Sequence, residues 1–207
     1  DMQIIEKSKI TKFPKTLIIK GSGVNTERFK NNKTKKVYDI IFHSRILYDK
    51  GFLELINAIR NLKKKREIKV LVLGDPDQNN RASVEINKLK QWEREELIIW
   101  KSKKINVIPF LLKSRVAVLP SYREGLPKTL LEAASCELPI VTTDVVGCRD
   151  ICLNNFNGLI VPPKDHISLS KAIEKILDNA KLAKFYGKNG RRLVLDKFST
   201  KIVEKEF

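Results

Sequence analysis

The chain has 207 residues, 42% of them hydrophobic, and a net charge of +17 at pH 7. That length suffices for one substantial domain, and 9 glycines and 8 prolines exclude collagen-like and low-complexity chains. The charge admits an anionic substrate, an anionic membrane surface or nucleic acid. Few aromatics stand among the basic clusters, which argues against a stacking platform for single strands. No apolar run reaches the ~18–20 residues a membrane span needs. Cys136, Cys148 and Cys152 form no Cys-x-x-Cys pair, and His43 and His166 are far apart, so no structural zinc is expected. Reduced thiols in a cytoplasmic protein are the simpler reading. The opening Asp1–Lys7 stretch lacks a signal-peptide pattern and reads as an internal start.

In chain order, residues 1 to 15 are polar and basic, and Thr16 to Lys20 reads as a short strand. Gly21-Ser22-Gly23-Val24-Asn25 is a turn, closed by Thr26 to Phe29. Tyr38 to Ser44 is the next strand, with Asp39 an awkward polar residue near its start. A loop from Arg45 to Gly51 leads into a helix whose apolar positions Phe52, Leu55, Ile56, Ile59 and Leu62 keep the helical period. Lys69 to Leu73 is a strand ending in the Gly74-Asp75-Pro76 turn, and Ala82 to Glu96 is a helix. Leu97 to Trp100 is a strand, Lys101 to Lys104 a basic loop, and Val107 to Lys113 a short helix.

Val116 to Leu119 is a β-branched run of the kind a covered parallel strand carries. After Pro120 to Leu126, Pro127 suits the first turn of a helix, which Leu130, Leu131 and Ala134 give an apolar face. Glu124 stands on the turn and Glu132 within the helix, so the two carboxylates can face one cleft from two levels. The first free N–H groups of that helix offer a place for a phosphate. Beyond it come a strand over Pro139 to Thr142, a turn or short helix at Gly147 to Asp150, and a strand over Leu159 to Val161. Helices follow over Ile167 to Leu177 and Leu182 to Leu195, and Ser199-Thr200 can cap a last one. Alternating strands and helices predict a Rossmann-like α/β fold with a doubly wound parallel sheet. Ligands of such sheets bind at the carboxyl ends of the strands. Arg45, Glu124 and the Asp144–Gly147 loop all follow strands, so the topology gathers them on one edge.

Four segments, in order, resemble one enzyme family. Ser44-Arg45-Ile46-Leu47-Tyr48-Asp49-Lys50-Gly51 resembles an Arg-Leu-x-x-x-Lys-Gly loop. Glu124 and Glu132, eight positions apart, resemble a Glu-x7-Glu signature. Thr142-Thr143-Asp144 with Gly147-Cys148-Arg149-Asp150, and Asn157-Gly158 through Lys164-Asp165, complete the set. The chain resembles the retaining, nucleotide-sugar-dependent glycosyltransferases of the GT-B fold, and within them the C-terminal, donor-binding domain.

The resemblance implies that Arg45 and Lys50 grip the donor diphosphate and neutralise the charge on the leaving group. It implies that Glu132 accepts hydrogen bonds from the ribose hydroxyls and that Glu124 lies beside the transferred sugar. Gly23, Gly125, Leu126 and Thr129 are implied as further donor contacts, and Lys103 to Ile105 as base contacts. No metal or other cofactor is implied; the nucleotide sugar, a UDP-sugar by family lean, is the substrate. Residues 1 to 23 then end an interdomain linker and first strand, and residues 24 to 207 form the nucleotide-sugar domain. The acceptor-binding domain is absent, so a saccharide or lipid-linked acceptor would be met through that missing half. The fragment alone is expected to be inactive. The basic charge suggests a cytoplasmic location at an anionic membrane surface, with no nucleic acid as partner. Competing readings are a basic Rossmann-like anion or nucleic-acid module without transfer activity, and a sugar-phosphate epimerase of the same two-domain fold. Departures from the family pattern are Glu137 for a common Gly, Ser102 and Asn106 near the base loop, Val146 for Pro and Asp150 for Glu. If position 137 is left-handed, its Glu is strained.

Overall fold

A computed structural model describes residues 21, 23–102 and 106–206. The expected strand at Thr16 to Lys20 and the base loop at Lys103 to Ile105 lie outside the described residues. Six parallel strands form one sheet: β1 (Tyr38–His43), β2 (Val70–Leu73), β3 (Ile99–Lys101), β4 (Ser114–Leu119), β5 (Ile140–Thr143) and β6 (Gly158–Val161). Their order is β3-β2-β1-β4-β5-β6. The chain winds outward from β1 to β3, returns to the other side of β1 as β4, and winds outward again. Central strands such as Val70–Leu73 and Ile140–Thr143 are buried along their whole length, as parallel strands covered on both sides should be.

Helices α1 (Phe52–Lys63), α2 (Ile86–Arg94), α3 (Ile108–Leu112), α4 (Lys128–Ser135), α5 (Val146–Ile151), α6 (His166–Asp178), α7 (Ala180–Lys197) and α8 (Thr200–Val203) connect and cover the sheet. The periodic residues of α1, Phe52, Leu55, Ile56, Ile59 and Leu62, are all buried. Helix α1 packs against α6, and α4 against α7. Asp39 proves less awkward than the sequence suggests. It sits at the amino edge of the sheet, where Oδ2 accepts from Lys69 N (2.9 Å) and Oδ1 from Arg115 Nη1 (3.0 Å).

Three boundaries differ from expectation for visible reasons. The helix expected from Ala82 begins only at Ile86, because Ser83 bridges to Leu47 and Val84 N donates to Ile46 O (3.1 Å), holding the segment extended. It ends at Arg94, and Glu96 turns left-handed with φ 54°. Pro127 stands just before α4 as its N-cap rather than within its first turn. Ser199 occupies the N-cap of α8, but its side chain makes no capping bond.

The earliest and latest described segments are joined. Val24 N donates to Phe198 O (2.8 Å) and Thr200 N to Val24 O (3.1 Å). Arg191 pins the same region, donating to Phe29 O (2.8 Å), Ser135 O (2.6 Å) and Thr26 O (3.2 Å).

Glu137 is left-handed, with φ 60°. It ends α4, where the chain reverses through Glu137 N to Ala134 O and Leu138 N to Ala133 O, both 3.0 Å. A side chain in this conformation costs about 1–2 kcal/mol, partly offset in a Gly variant by greater unfolded-state entropy. The only side-chain bond Glu137 makes among the described residues is an exposed one from Asn31 Nδ2 (3.0 Å). Glu137→Gly is therefore expected to raise the unfolding free energy by about 0.5–1 kcal/mol. Urea titration of the two chains measures it.

Candidate functional site

The site is built where the strand order reverses, between β1 and β4. The loop after β1 passes through one 3-10 turn, Tyr48–Lys50. It is tied to the loop after β4 by Tyr122 N to Asp49 O (2.9 Å) and Ser121 Oγ to Asp49 O (3.2 Å). Gly51, at φ 68°, lies so close that a Cβ there would sit 1.9 Å from Pro120 O. The loop after β5 locks onto the same turn. Thr142 Oγ1 donates to Leu119 O (2.7 Å), and Thr143 Oγ1 to Ser121 O. A Cβ on Gly147 would meet Gly125 O at 1.9 Å. The exit loops of three strands are thus held backbone against backbone.

This interlock fixes a part-buried ion pair. Lys50 Nζ lies 2.7 Å from Glu124 Oε1, with side chains 17% and 10% exposed. Glu124 therefore pairs with Lys50 across the cleft, not with its sequence neighbours Arg123 or Lys128. Nearby, burial and a hydrogen bond to Glu54 push the Tyr122 phenol up in pKa.

A cavity of about 460 Å³ opens at the carboxyl ends of β1 and β2, lined by His43, Arg45, Gly74, Asp77 and Thr129 among others. Arg45 Nη1 donates to Asp77 Oδ2 (2.8 Å), and its side chain is 62% exposed. Lys50 and Arg45 thus take different partners. Glu132 is buried in α4, with Oε2 3.6 Å from His43 Nδ1. Burial pushes its carboxyl above the usual range, opposed by Lys128 and Arg28. No side chain caps α4; Leu130 N donates to Pro127 O (3.0 Å), and the N–H groups of its first two residues have no acceptor within the helix. A larger cavity, about 630 Å³, lies at the opposite edge of the sheet around Asp39, Lys63, Lys69 and Glu93. It holds none of the expected site residues and faces the amino ends of the strands, where doubly wound sheets do not bind their ligands.

Glu124, Gly125 and Leu126 form the turn before α4, and Thr129 is its second residue. Gly125 is exposed, and a Cβ there would meet nothing within 4 Å. Gly23, at φ 64°, packs against Phe198 O and Val203 of the closing segment. Asn106 accepts from Ile108 N (3.2 Å) at the start of α3. The residue that sequence reasoning missed is His43. Its one signal was its place, at the end of a strand and two positions before Arg45. Burial pushes the thiols of Cys136 and Cys148 up to about 12 and about 11, which keeps them protonated. Among the described residues no cluster of three or more His, Cys, Asp or Glu could hold a metal ion, and no helix is long and apolar enough to cross a membrane.

The sequence profile of a family described as Glycosyl transferases group 1 matches residues 23–193. The capsular polysaccharide biosynthesis glycosyltransferase CapM of Staphylococcus aureus is 31% identical over 197 residues, covering 90% of this chain and 51% of that protein. The chain thus spans about half the length of this curated relative. The C-terminal domain of a glycosyl transferase group 1 family protein (LpcC) from Francisella tularensis superposes with a TM-score of 0.73 at 22% identity, over 86% of this chain and 99% of that one. A Staphylococcus aureus TarM variant, solved with fondaparinux, α-GlcNAc-glycerol and UDP, superposes with a TM-score of 0.80 at 21% identity, over 99% and 40%.

The Glu132 environment generates a stability prediction. A carboxyl raised on folding holds its proton more tightly in the folded state. Between its ordinary value of 4.5 and the raised one, the folded state binds more protons, so stability falls as pH rises. Above the raised value the loss is complete. Glu132→Gln is expected to flatten that fall and leave the ligand-free domain more stable at neutral pH. Urea unfolding across about pH 4 to 8 reads both slopes.

Proposed function

Since this chain belongs to the glycosyl transferases group 1 family, we propose that it is the donor-binding half of a retaining glycosyltransferase that takes its sugar from a nucleotide sugar. The observation that supports this reading is the Lys50–Glu124 pair, formed between the exit loops of β1 and β4 where the strand order reverses. In this reading the diphosphate displaces Glu124 as the partner of Lys50 and draws the exposed Arg45 from Asp77. Both cations then face the charge that grows on the leaving diphosphate. Released from Lys50, Glu124 turns to the hydroxyls of the transferred sugar. Glu132 receives the ribose diol, two acceptors meeting two donors. Gly125 and Leu126 offer backbone N–H groups beside the phosphates, with Thr129 on the pocket wall.

UDP is the nucleotide of first choice, because the TarM structure of the same fold holds it. Surface polysaccharide, on a saccharide or lipid-linked carrier, is the acceptor class suggested by CapM. Acceptor contacts and turnover belong to sequence beyond this domain. The net charge of +17 suits a station on an anionic inner membrane surface. If so, liposome binding rises with anionic lipid content and weakens with salt. Tight binding to duplex DNA in place of liposomes would support the nucleic-acid module instead.

Calorimetry with UDP, GDP, ADP and CMP in EDTA is the direct test. UDP binding without metal is expected; strict metal dependence or no nucleotide binding would overturn the reading. Glu132→Ala is expected to weaken UDP binding by about 1–3 kcal/mol. Glu124→Gln should leave UDP affinity nearly unchanged while depressing transfer in the full-length protein. There Arg45→Ala and Lys50→Ala should lower kcat by more than they weaken UDP binding.

A further inference from the structure

The donor reading gives Glu132 a ribose to hold, but burial favours the neutral acid, which offers the diol fewer acceptor sites. The fold places His43 against it. His43 ends β1, its side chain is 14% exposed, and Nδ1 lies 3.6 Å from Glu132 Oε2. That is too long for a hydrogen bond but close enough for opposite charges in a poorly screened interior. Among the described residues, His43 is the basic side chain within ion-pair distance of Glu132. Lys128 of α4 and Arg28 of the loop before β1 act on it from exposed positions. Cys136, one turn further along α4, is held as a neutral thiol. On the other side of His43, Arg45, Asp75 and Asp77 line the shared cavity.

We propose that His43 is the positioning residue for Glu132. The pair holds one proton, carried on the imidazole, so that the carboxylate keeps both oxygens as acceptors for the vicinal hydroxyls of a ribose. Acid adds a second proton, to Glu132, and turns one acceptor into a donor. The ribose half of this inference rests on the donor-binding reading; the pairing itself does not.

The test has two arms. Carbon NMR of the Glu132 carboxyl is followed against pH in the ligand-free chain and in His43→Gln. The Glu132 midpoint is expected to rise by about one pH unit in the variant. Reciprocally, Glu132→Gln should lower the titration midpoint of the His43 ring, which keeps the test open if one variant folds poorly. Unmoved midpoints in both directions overturn the pairing. In the second arm, UDP and pyrophosphate affinities are measured against pH. His43→Gln is expected to shift the acid limb of UDP affinity upward by about the same amount and leave pyrophosphate affinity unchanged. Equal losses for UDP and pyrophosphate, or coincident UDP profiles, overturn the ribose role. A wild-type chain that shows shifted midpoints on substitution yet binds no UDP overturns the donor reading and the ribose role with it, and leaves the pairing standing.

Discussion

Everything at the carboxyl edge of this sheet depends on backbone meeting backbone where the winding reverses. Gly51 rests on Pro120, Gly147 on Gly125, and the threonines of β5 reach across to Leu119 and Ser121. These contacts leave no slack between the exit loops of β1, β4 and β5. The Lys50–Glu124 pair follows from that closeness. Two side chains 74 positions apart in sequence meet at 2.7 Å because their loops cannot separate. Burying such a pair costs desolvation, and removing either member alone typically costs about 3–5 kcal/mol. A pair like this is poor economy for stability; under the donor-binding proposal an incoming anion would replace one partner.

The two glutamates on which the site turns sit in contrasting surroundings. Glu124 is neutralised directly by a buried ammonium. Glu132 is desolvated, with an imidazole at longer range and its other cations in solvent. Exposed Lys128 and Arg28 act on Glu132 from solvent, where water and salt screen them. The net charge shapes what approaches the domain; the buried pairs shape what it can hold.

The fold was largely legible in the sequence, because parallel strands buried on both sides read as unbroken apolar runs. Val70–Leu73 and Val116–Leu119 are examples. The helix at Ala82 was misjudged because its first residues have helical composition but are recruited by Ile46 and Leu47, a tertiary contact that no local pattern encodes. The strained Glu137 was legible from a departure at a helix end, and its φ of 60° agrees. At the site, topology gathers Arg45, Glu124 and the Asp144–Gly147 loop on one edge, and the family resemblance adds Lys50 and Glu132. Neither says who pairs with whom, since pairing depends on side-chain reach across neighbouring loops. His43 stayed hidden for the same reason: one histidine at a strand end looks like any other until α4 is laid beside it.

The three glycines around the turn answer to different masters. At positions 51 and 147 the neighbouring backbone forbids any side chain, so the fold alone would preserve glycine there whether or not the protein still worked. Position 125 faces open space, and packing asks nothing of it. Of the three, only position 125 can take a side chain without disturbing its neighbours, so a substitution there would report on the cleft and not on the fold.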